Sequence, residues 1–121
     1  MSGHGDNYLI IDTNVIIYAA ERNVDLMKAV QSMPLAYTPV VLDCVRKELK
    51  GLTNSVRLAS IALALSERFE SLESSGSGDD CIQNAAVAHS AAVLTNDRTL
   101  ARSLKNIMIR TYSLRQGRLI G

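Results

Sequence analysis

Apolar and polar positions alternate in blocks along this chain, and the blocks predict strands and helices in turn. Residues 8–12 and 91–95 are short apolar runs of the kind that forms buried strands. Between them, apolar residues recur at helical spacing, and Gly51 and the Ser/Gly stretch 74–78 interrupt the pattern. The predicted strands are 8–12, 35–38, 69–73, 91–95 and 107–112, and the predicted helices are 13–21, 25–33, 39–49, 54–68, 79–90 and 98–104.

The order of these blocks is that of an α/β protein. Alternating strands and helices favour a parallel sheet with right-handed crossovers. We therefore expect one domain over residues 1–121, a three-layer sandwich around a central, mainly parallel sheet of about five strands. Residues 1–6 are small and polar, and this composition predicts a loose terminus.

Composition narrows the protein class. The chain is 47% hydrophobic and 21% charged, and it has no apolar run near the roughly 20 residues that cross a bilayer, so we expect no membrane role. It has two cysteines, Cys44 and Cys81, both in predicted helices. Two cysteines are too few for a disulfide framework, so we expect free, buried thiols in a reducing cytoplasm.

Acidic and basic residues are nearly equal in number, but they are unevenly distributed along the chain. The formal net charge is +1, so the field of the whole protein does not predict a nucleic-acid partner. No acid follows Asp97, however, and basic residues recur through 98–118. Such a run is typical of a solvated face and also of a phosphate-binding surface, and the sequence leaves both open. The basic residues are Arg98, Arg102, Lys105, Arg110, Arg115 and Arg118.

Two predicted strands stop on a carboxylate. "YLIIDTN" leads into Asp12, and "VLTND" leads into Asp97. In open parallel sheets, ligands bind beyond the carboxyl ends of the strands, near the point where the strand order reverses. We therefore expect the two strands to be neighbours that deliver both acids to one site.

Helical spacing sorts the remaining acids. Glu48 shares a stripe with Cys44 and other apolar residues, which predicts that it points inward. Asp79 stacks with Ile82, whereas Asp80 stacks with polar neighbours, so Asp79 is the better candidate for the site. Both lie at a predicted helix start, and a purely capping role is the alternative.

Asp12, Glu48, Asp79 and Asp97 would form a crowded set of carboxylates. Like charges in a cleft raise one another's pKa, and an unpaired buried ion costs several kcal/mol, so such a set must protonate, pair or bind cations. An all-oxygen ligand set suits Mg²⁺ or Mn²⁺, which are the ions of phosphoryl chemistry.

Four stretches of the chain, in order, resemble the PIN domain (PilT N-terminal domain) nucleases. They are "IIDTN", "VLDCVRKELKGL", "GDDCIQNAA" and "VLTND", and they extend over nearly the whole chain. "DTN", "DCV", "RFESL" and "DDCI" together look like the branch that contains the small-subunit-processome endonuclease of ribosomal RNA maturation. The resemblance implies an α/β sandwich with a central parallel sheet and a metal-dependent ribonuclease site.

The resemblance also implies roles for single residues. The family's acidic positions, catalytic and binding Mg²⁺ or Mn²⁺, fall on Asp12, Glu48, Asp79 and Asp97. As a hypothesis, Asp12 and Asp97 hold the principal ion, and Asp79 and Glu48 bind through water or hold a second ion. Supporting positions fall on Asn14, Thr95 and Asn96, with Asp80 as an extra acid that could replace or assist Asp79. Arg98 and Arg102 are candidates for RNA phosphate contacts, with a solvated helix face as the alternative.

The resulting prediction is a divalent-metal-dependent endoribonuclease of ribosomal RNA processing in the cytoplasm, leaving 5′ phosphate and 3′ hydroxyl ends. Two alternatives share the fold: the ribonuclease of a toxin–antitoxin pair, and a non-catalytic PIN module that binds RNA or protein. An aspartyl phosphatase is disfavoured, because it would need a second acid where Asn14 stands. The partners that these interpretations raise are RNA, including precursor ribosomal RNA, a second copy of the chain, ribosome-assembly factors and an antitoxin.

Overall fold

A six-stranded sheet forms the centre of the fold in residues 7–55 and 57–121, the part of the chain that this computed structural model describes. Its order is β3-β2-β1-β4-β5-β6; β1 to β5 run parallel, and β6 is antiparallel to β5. The predicted terminus, residues 1–6, lies outside the described residues. The strands are β1 (Tyr8–Ile11), β2 (Thr38–Leu42), β3 (Glu70–Leu72), β4 (Ala92–Leu94), β5 (Thr111–Arg115) and β6 (Arg118–Ile120).

Helices flank this sheet, and acidic side chains begin three of them. Asp12 accepts the N–H of Thr13 at the start of α1, Asp25 accepts the N–H of Lys28 at the start of α2, and Asp97 caps α6. Asn23 and Ser90 take left-handed conformations where α1 and α5 end. The helices are α1 (Thr13–Arg22), α2 (Leu26–Gln31), α3 (Asp43–Leu52), α4 (Ala59–Ser66), α5 (Gly78–His89) and α6 (Arg98–Asn106).

The strands are buried because helices cover the sheet. Leu9–Ile11 of β1, Val40–Leu42 of β2 and residues 92–94 of β4 are all buried. Parallel strands covered by helices read as continuous apolar runs rather than alternating ones, which is why the sequence predicted them. The predicted α/β fold with a mainly parallel sheet is confirmed. No helix in the described residues has the length and apolar composition that crossing a membrane requires.

The second predicted strand and the helix after it were placed wrongly. The strand is Thr38–Leu42 rather than 35–38, and α3 begins at Asp43 rather than at Pro39. Burial of the branched residues that follow Pro39 outweighs the preference of proline for a helix start. Thr38 donates its N–H to the carbonyl of Asn7 at 2.8 Å, and pairing with β3 begins only at Val40. The missing N–H of Pro39 therefore interrupts no ladder.

The end of the chain adds a strand that the sequence analysis missed, so the sheet has six strands in the described residues instead of about five. The last predicted strand, 107–112, begins at Thr111 instead, because the chain turns at Met108 with a φ of 67°. β5 then returns as β6 through Gln116 and Gly117, whose φ values are 50° and 78°. Positive φ at both central residues is what a tight two-residue hairpin requires.

The helix predicted over 54–68 is shorter than expected. α4 occupies Ala59–Ser66, and turns precede it, with Val56 outside the described residues. Arg46 of α3 stabilises the segment after α4, because its guanidinium donates to the carbonyls of Ser66 at 2.6 Å and Phe69 at 2.9 Å. This contact holds α3 against the entry to β3.

The expectation of free thiols was wrong. Cys44 near the start of α3 and Cys81 near the start of α5 form a disulfide, with their Cα atoms 6.7 Å apart. The two helices pack against each other, and Cys81 is fully buried. Cysteine counting missed the bond because the two residues are 37 positions apart and only the packing of α3 on α5 brings them together.

Candidate active site

Two strand-end acids meet at the point where the strand order reverses. β1 and β4 are parallel neighbours, and the N–H of Asp12 donates to the carbonyl of Leu94 at 2.9 Å. The sheet extends from β1 toward β3 on one side and from β4 toward β6 on the other. Asp12 and Asp97 therefore leave adjacent strands at the edge where α/β sheets bind ligands, as the sequence predicted.

The helices bring two more acids to the same place. A cavity of about 250 Å³ is lined by Asp12, Asp97, Glu48 from α3 and Asp79 from the first turn of α5. We call this cavity the carboxylate pocket. Asp80 does not line it, and both Asp79 and Asp80 are exposed.

Asp12 is the buried member of the set, with 7% of its surface exposed. Its Oδ1 accepts the N–H of Thr13 at 2.8 Å. Its Oδ2 accepts the hydroxyl of Thr95 at 2.7 Å and the side-chain amide of Asn14 at 3.0 Å. Three donors thus fix the orientation of this carboxylate.

The three polar residues that the resemblance assigned a supporting role form one network. Asn14 Oδ1 accepts the N–H of Asn96 at 3.1 Å, and the Thr95 hydroxyl accepts the N–H of Asp97 at 3.1 Å. Asn96 Oδ1 accepts the N–H of Leu114 on β5 at 2.9 Å. The network therefore joins the ends of β1, β4 and β5, which makes the position of Asp12 depend on the register of the sheet.

Asp97 lines the pocket and caps a helix with one of its two oxygens. Its Oδ1 caps α6 by accepting the N–H groups of Thr99 at 2.9 Å and Leu100 at 3.1 Å. No hydrogen bond to its Oδ2 is found among the residues that the structure describes. Capping fixes the side chain and leaves the second oxygen available to the pocket.

Glu48 is held by Thr13, which was not among the predicted site residues. The hydroxyl of Thr13 donates to Glu48 Oε1 at 2.8 Å, which connects α1 to α3. Thr13 is buried, whereas Glu48 is exposed rather than turned inward as predicted. The available signal was the position of Thr13 between Asp12 and Asn14 at a helix start, where its side chain faces the same sheet edge.

Asp79 lies on the rim of the pocket, in the first turn of α5. The residue at the N-cap position is Ser77, and neither Asp79 nor Asp80 caps the helix with its side chain. The purely capping alternative for these two acids therefore does not hold.

The carboxylates interact electrostatically with one another. Burial raises the pKa of Asp12 above its usual 3.8; hydrogen bonds from Thr95 and Thr13 oppose the shift, and the charges of Glu48 and Asp79 add to it. Burial also raises the pKa of Asp79, and so do the nearby charges of Asp97, Asp80 and Glu48.

In the part of the chain that the structure describes, no basic side chain pairs with an acid of the pocket. The ion pair found in the described residues joins Arg22 and Glu21 at 3.6 Å on the exposed surface of α1, and it involves none of the four acids. The pocket therefore carries uncompensated negative charge whenever its members are ionised.

This donor set suits a partly hydrated hard cation. Within the described part of the chain, no group of three carboxylate, histidine or cysteine side chains is arranged as a ligand set for one ion. Mg²⁺ is usually bound by one or two carboxylates and keeps several of its waters, so a complete protein cage is not required. Oxygen ligands without histidine or thiolate match this preference.

The two candidate phosphate-binding arginines differ in their surroundings. Arg98 follows Asp97 directly and lines a second, smaller cavity beside it, together with Lys105 and Arg115. Both arginines are exposed, but Arg102 does not line that cavity.

Comparison with known proteins gives consistent results. The family model described as "PIN like domain" matches residues 9–117. The chain is similar to the rRNA-processing protein fcf1 of Schizosaccharomyces pombe, with 35% identity over 105 residues, and to rRNA-processing protein FCF1 of Saccharomyces cerevisiae, with 32% identity over 104 residues. These matches cover 83% and 82% of this chain but 54% of each yeast protein, so the chain spans about half the length of these relatives.

Two further matches cover a larger share of the matched protein than the yeast matches do. Ribonuclease VapC9 of Archaeoglobus fulgidus is 30% identical over 101 residues, which is 79% of this chain and 74% of that protein. A solved structure of the PIN domain endonuclease Utp24 matches with a TM-score of 0.79 and 30% sequence identity, over 93% of this chain and 89% of that one.

Proposed function

This chain belongs to the PIN-like domain family, and from that premise we propose that it is a divalent-metal-dependent endoribonuclease acting on ribosomal RNA precursors. One observation carries the proposal: four carboxylates that are far apart in sequence line one cavity at the sheet edge without a basic partner among the described residues. The similarity to the two yeast rRNA-processing proteins supports the substrate class.

We place the metal on the oxygens that keep free lone pairs. Asp12 Oδ2 already accepts two hydrogen bonds, whereas Oδ1 accepts one, and Asp97 has its Oδ2 available. Asp12 and Asp97 would thus hold the principal Mg²⁺ or Mn²⁺, and Asp79 and Glu48 would bind through water or hold a second ion. When bound, the ion supplies positive charge at the scissile phosphate and makes water a stronger nucleophile.

The protein's own residues prepare this site. Thr95 and Asn14 hold Asp12 in one orientation, and Thr13 holds Glu48. Without a cation, the pocket repels the phosphates of RNA, so the ion and the substrate favour each other's binding. Hydrolysis at such a site leaves a 5′ phosphate and a 3′ hydroxyl.

A second candidate has the same chemistry and a different biological role. The similarity to Ribonuclease VapC9 supports ribonuclease activity outside ribosomal RNA processing as well, and the candidate of this kind is the ribonuclease of a toxin–antitoxin pair. A non-catalytic module that binds RNA or protein is the less favoured interpretation, because all four acids are present and line the pocket.

RNA cleavage assays test the proposal. The purified protein is incubated with precursor ribosomal RNA fragments and with unrelated single-stranded RNA, in Mg²⁺, in Mn²⁺ and in chelator. Asp12→Asn is the test variant, and Asp43→Asn is the matched control because Asp43 is exposed and outside the pocket. We expect metal-dependent cleavage that Asp12→Asn lowers by about 100-fold or more and that Asp43→Asn retains.

Three outcomes would contradict parts of this proposal. Cleavage in the presence of chelator would show that the reaction does not need a metal. Equal cleavage by wild type and Asp12→Asn would show that the carboxylate pocket is not the active site. Cleavage of unrelated RNA as fast as precursor ribosomal RNA would favour the toxin-type ribonuclease over ribosomal RNA processing.

A further inference from the structure

A second groove opens beside the carboxylate pocket, and Asp97 lines both. It lies between α6 and the β5–β6 hairpin, and we call it the α6–β5 groove. Its volume is about 140 Å³, which is small compared with the roughly 300 to 1,000 Å³ of sites that enclose a small molecule. The groove therefore suits one phosphate group better than a whole nucleotide.

Three cations line this groove. Arg98 and Lys105 come from the same face of α6, seven residues apart, and Arg115 comes from the end of β5. None of the three forms an ion pair with any residue that the structure describes, and among those residues Asp97 is the only one that lines the groove with a carboxylate side chain.

This arrangement differs from a solvated helix face. Arg98, Lys105 and Arg115 are exposed, as Arg102 is, but Arg102 does not line the groove. In the groove, cations from two separate elements line one small space, and their mutual repulsion is relieved when an anion binds between them. The net charge of the whole chain is only +1, so the positive charge is concentrated locally at this groove.

We infer that the α6–β5 groove binds a backbone phosphate of single-stranded RNA next to the scissile bond, with Lys105 and Arg115 as contacts beside Arg98. This inference rests on the proposed function, because it takes the RNA strand through the carboxylate pocket and past Asp97. It adds two RNA-binding residues and gives the strand a direction across the protein surface, from β1 toward β5.

RNA binding without cleavage tests this inference. Fluorescence anisotropy of a labelled short single-stranded RNA is measured in chelator, over a series of KCl concentrations. The test variant is Lys105→Ala/Arg115→Ala, and Lys105→Arg/Arg115→Lys retains both charges. The matched control is Lys28→Ala/Arg68→Ala, which removes the same charge from exposed residues that do not line the groove.

We expect the alanine variant to bind about tenfold more weakly at low salt. The slope of log K against log salt should become shallower by at least about 0.7, the value for one phosphate contact to a single strand. The charge-retaining variant should keep the wild-type slope, and so should the control.

Equal binding and equal slope in wild type and the alanine variant would overturn the inference, as would an equal loss in the Lys28→Ala/Arg68→Ala control. Because the assay contains no metal, its result is independent of cleavage. The metal-free pocket repels RNA equally in all the proteins compared, so the differences between them report the groove. If the wild-type protein cleaves RNA and the alanine variant binds RNA normally, the proposed nuclease function is supported and the phosphate-binding role of the groove is rejected. If the alanine variant loses RNA binding and the wild-type protein cleaves no RNA, the RNA-binding role of the groove is supported and the nuclease proposal is rejected.

Discussion

Thr95 donates its hydroxyl to Asp12 Oδ2 at 2.7 Å, across 83 positions of the sequence. Thr95 is itself buried, with 2% of its surface exposed, and its oxygen also accepts the N–H of Asp97. One hydroxyl therefore sets the spacing of the two strand-end carboxylates. This relationship makes Thr95 a positioning residue for the proposed metal site.

Thr95→Val should lower Mn²⁺ affinity and RNA cleavage by about 10- to 100-fold, the usual effect of losing a residue that orients a metal ligand. Because the Thr95 hydrogen bond lowers the pKa of Asp12, its loss should also move the acidic limb of the pH–rate profile to higher pH. Isothermal titration with Mn²⁺ and the pH dependence of cleavage measure the two effects. Thr95→Ser keeps the hydroxyl and should retain both properties; a valine variant with wild-type affinity and profile would contradict this role.

Asp79 and Asp80 should differ in their importance for activity, although they are adjacent in the first turn of α5. Asp79 lines the carboxylate pocket and Asp80 does not. Asp79→Asn should therefore lower the cleavage rate by about 10-fold or more, whereas Asp80→Asn should change it by less than about threefold. Single-turnover cleavage of the same RNA measures the rate constants of both variants. A larger loss of rate in Asp80→Asn would mean that Asp80, rather than Asp79, acts in the pocket.

The same pair of variants tests the electrostatics of the metal-free pocket. The pKa of Asp79 is raised in the folded protein, so the folded state binds its proton more tightly than the unfolded state does. Its contribution to stability is complete below pH 3.8, the usual pKa, and is lost as the pH rises through the raised value. At pH 7 to 8 in chelator, Asp79→Asn should then unfold at a higher temperature than Asp80→Asn, which loses an equivalent first-turn charge.

Thermal unfolding of both variants across pH 3 to 8 measures this difference. It should shrink as the pH falls toward the usual pKa of aspartate, because the wild-type carboxyl is then protonated in both states. Adding Mn²⁺ should raise the unfolding temperature of the wild-type protein more than that of Asp79→Asn, because the ion binds the folded state. A pH-independent difference would mean that packing, rather than charge, separates the two variants.

The sequence was sufficient for the parts of the site that follow directly from strand ends. An apolar run that ends in Asp12 and another that ends in Asp97 predict two buried parallel strands, and parallel neighbours must present both acids at one edge. Asp79 lines the pocket and Asp80 does not, as helical spacing favoured, but Asp79 is exposed rather than turned inward. These predictions needed only local pattern and the handedness of crossovers.

The remaining features depend on packing between distant elements. Thr13 contacts Glu48 only because α1 lies beside α3. Arg115 lines a cavity with residues of α6 at the end of β5, which extends three residues beyond its predicted end. The proline at 39 misled the prediction of β2, since burial of the residues after it was not visible in local preference. Long-range pairing determined these features, and a single sequence carries little information about it.

The Cys44–Cys81 bond should stabilise the fold and preserve the pocket. It closes a separation of 37 residues, and a loop of this length corresponds to roughly 2 to 4 kcal/mol of unfolding free energy. Because the bond joins α3, which carries Glu48, to α5, which carries Asp79, reduction should also weaken Mn²⁺ binding. Urea unfolding and Mn²⁺ titration with and without a phosphine reductant measure both effects, and intact mass after thiol alkylation reports the state of the bond. The Cys44→Ala/Cys81→Ala variant should be insensitive to reductant, whereas two alkylated thiols in protein purified without reductant would show that the bond does not form.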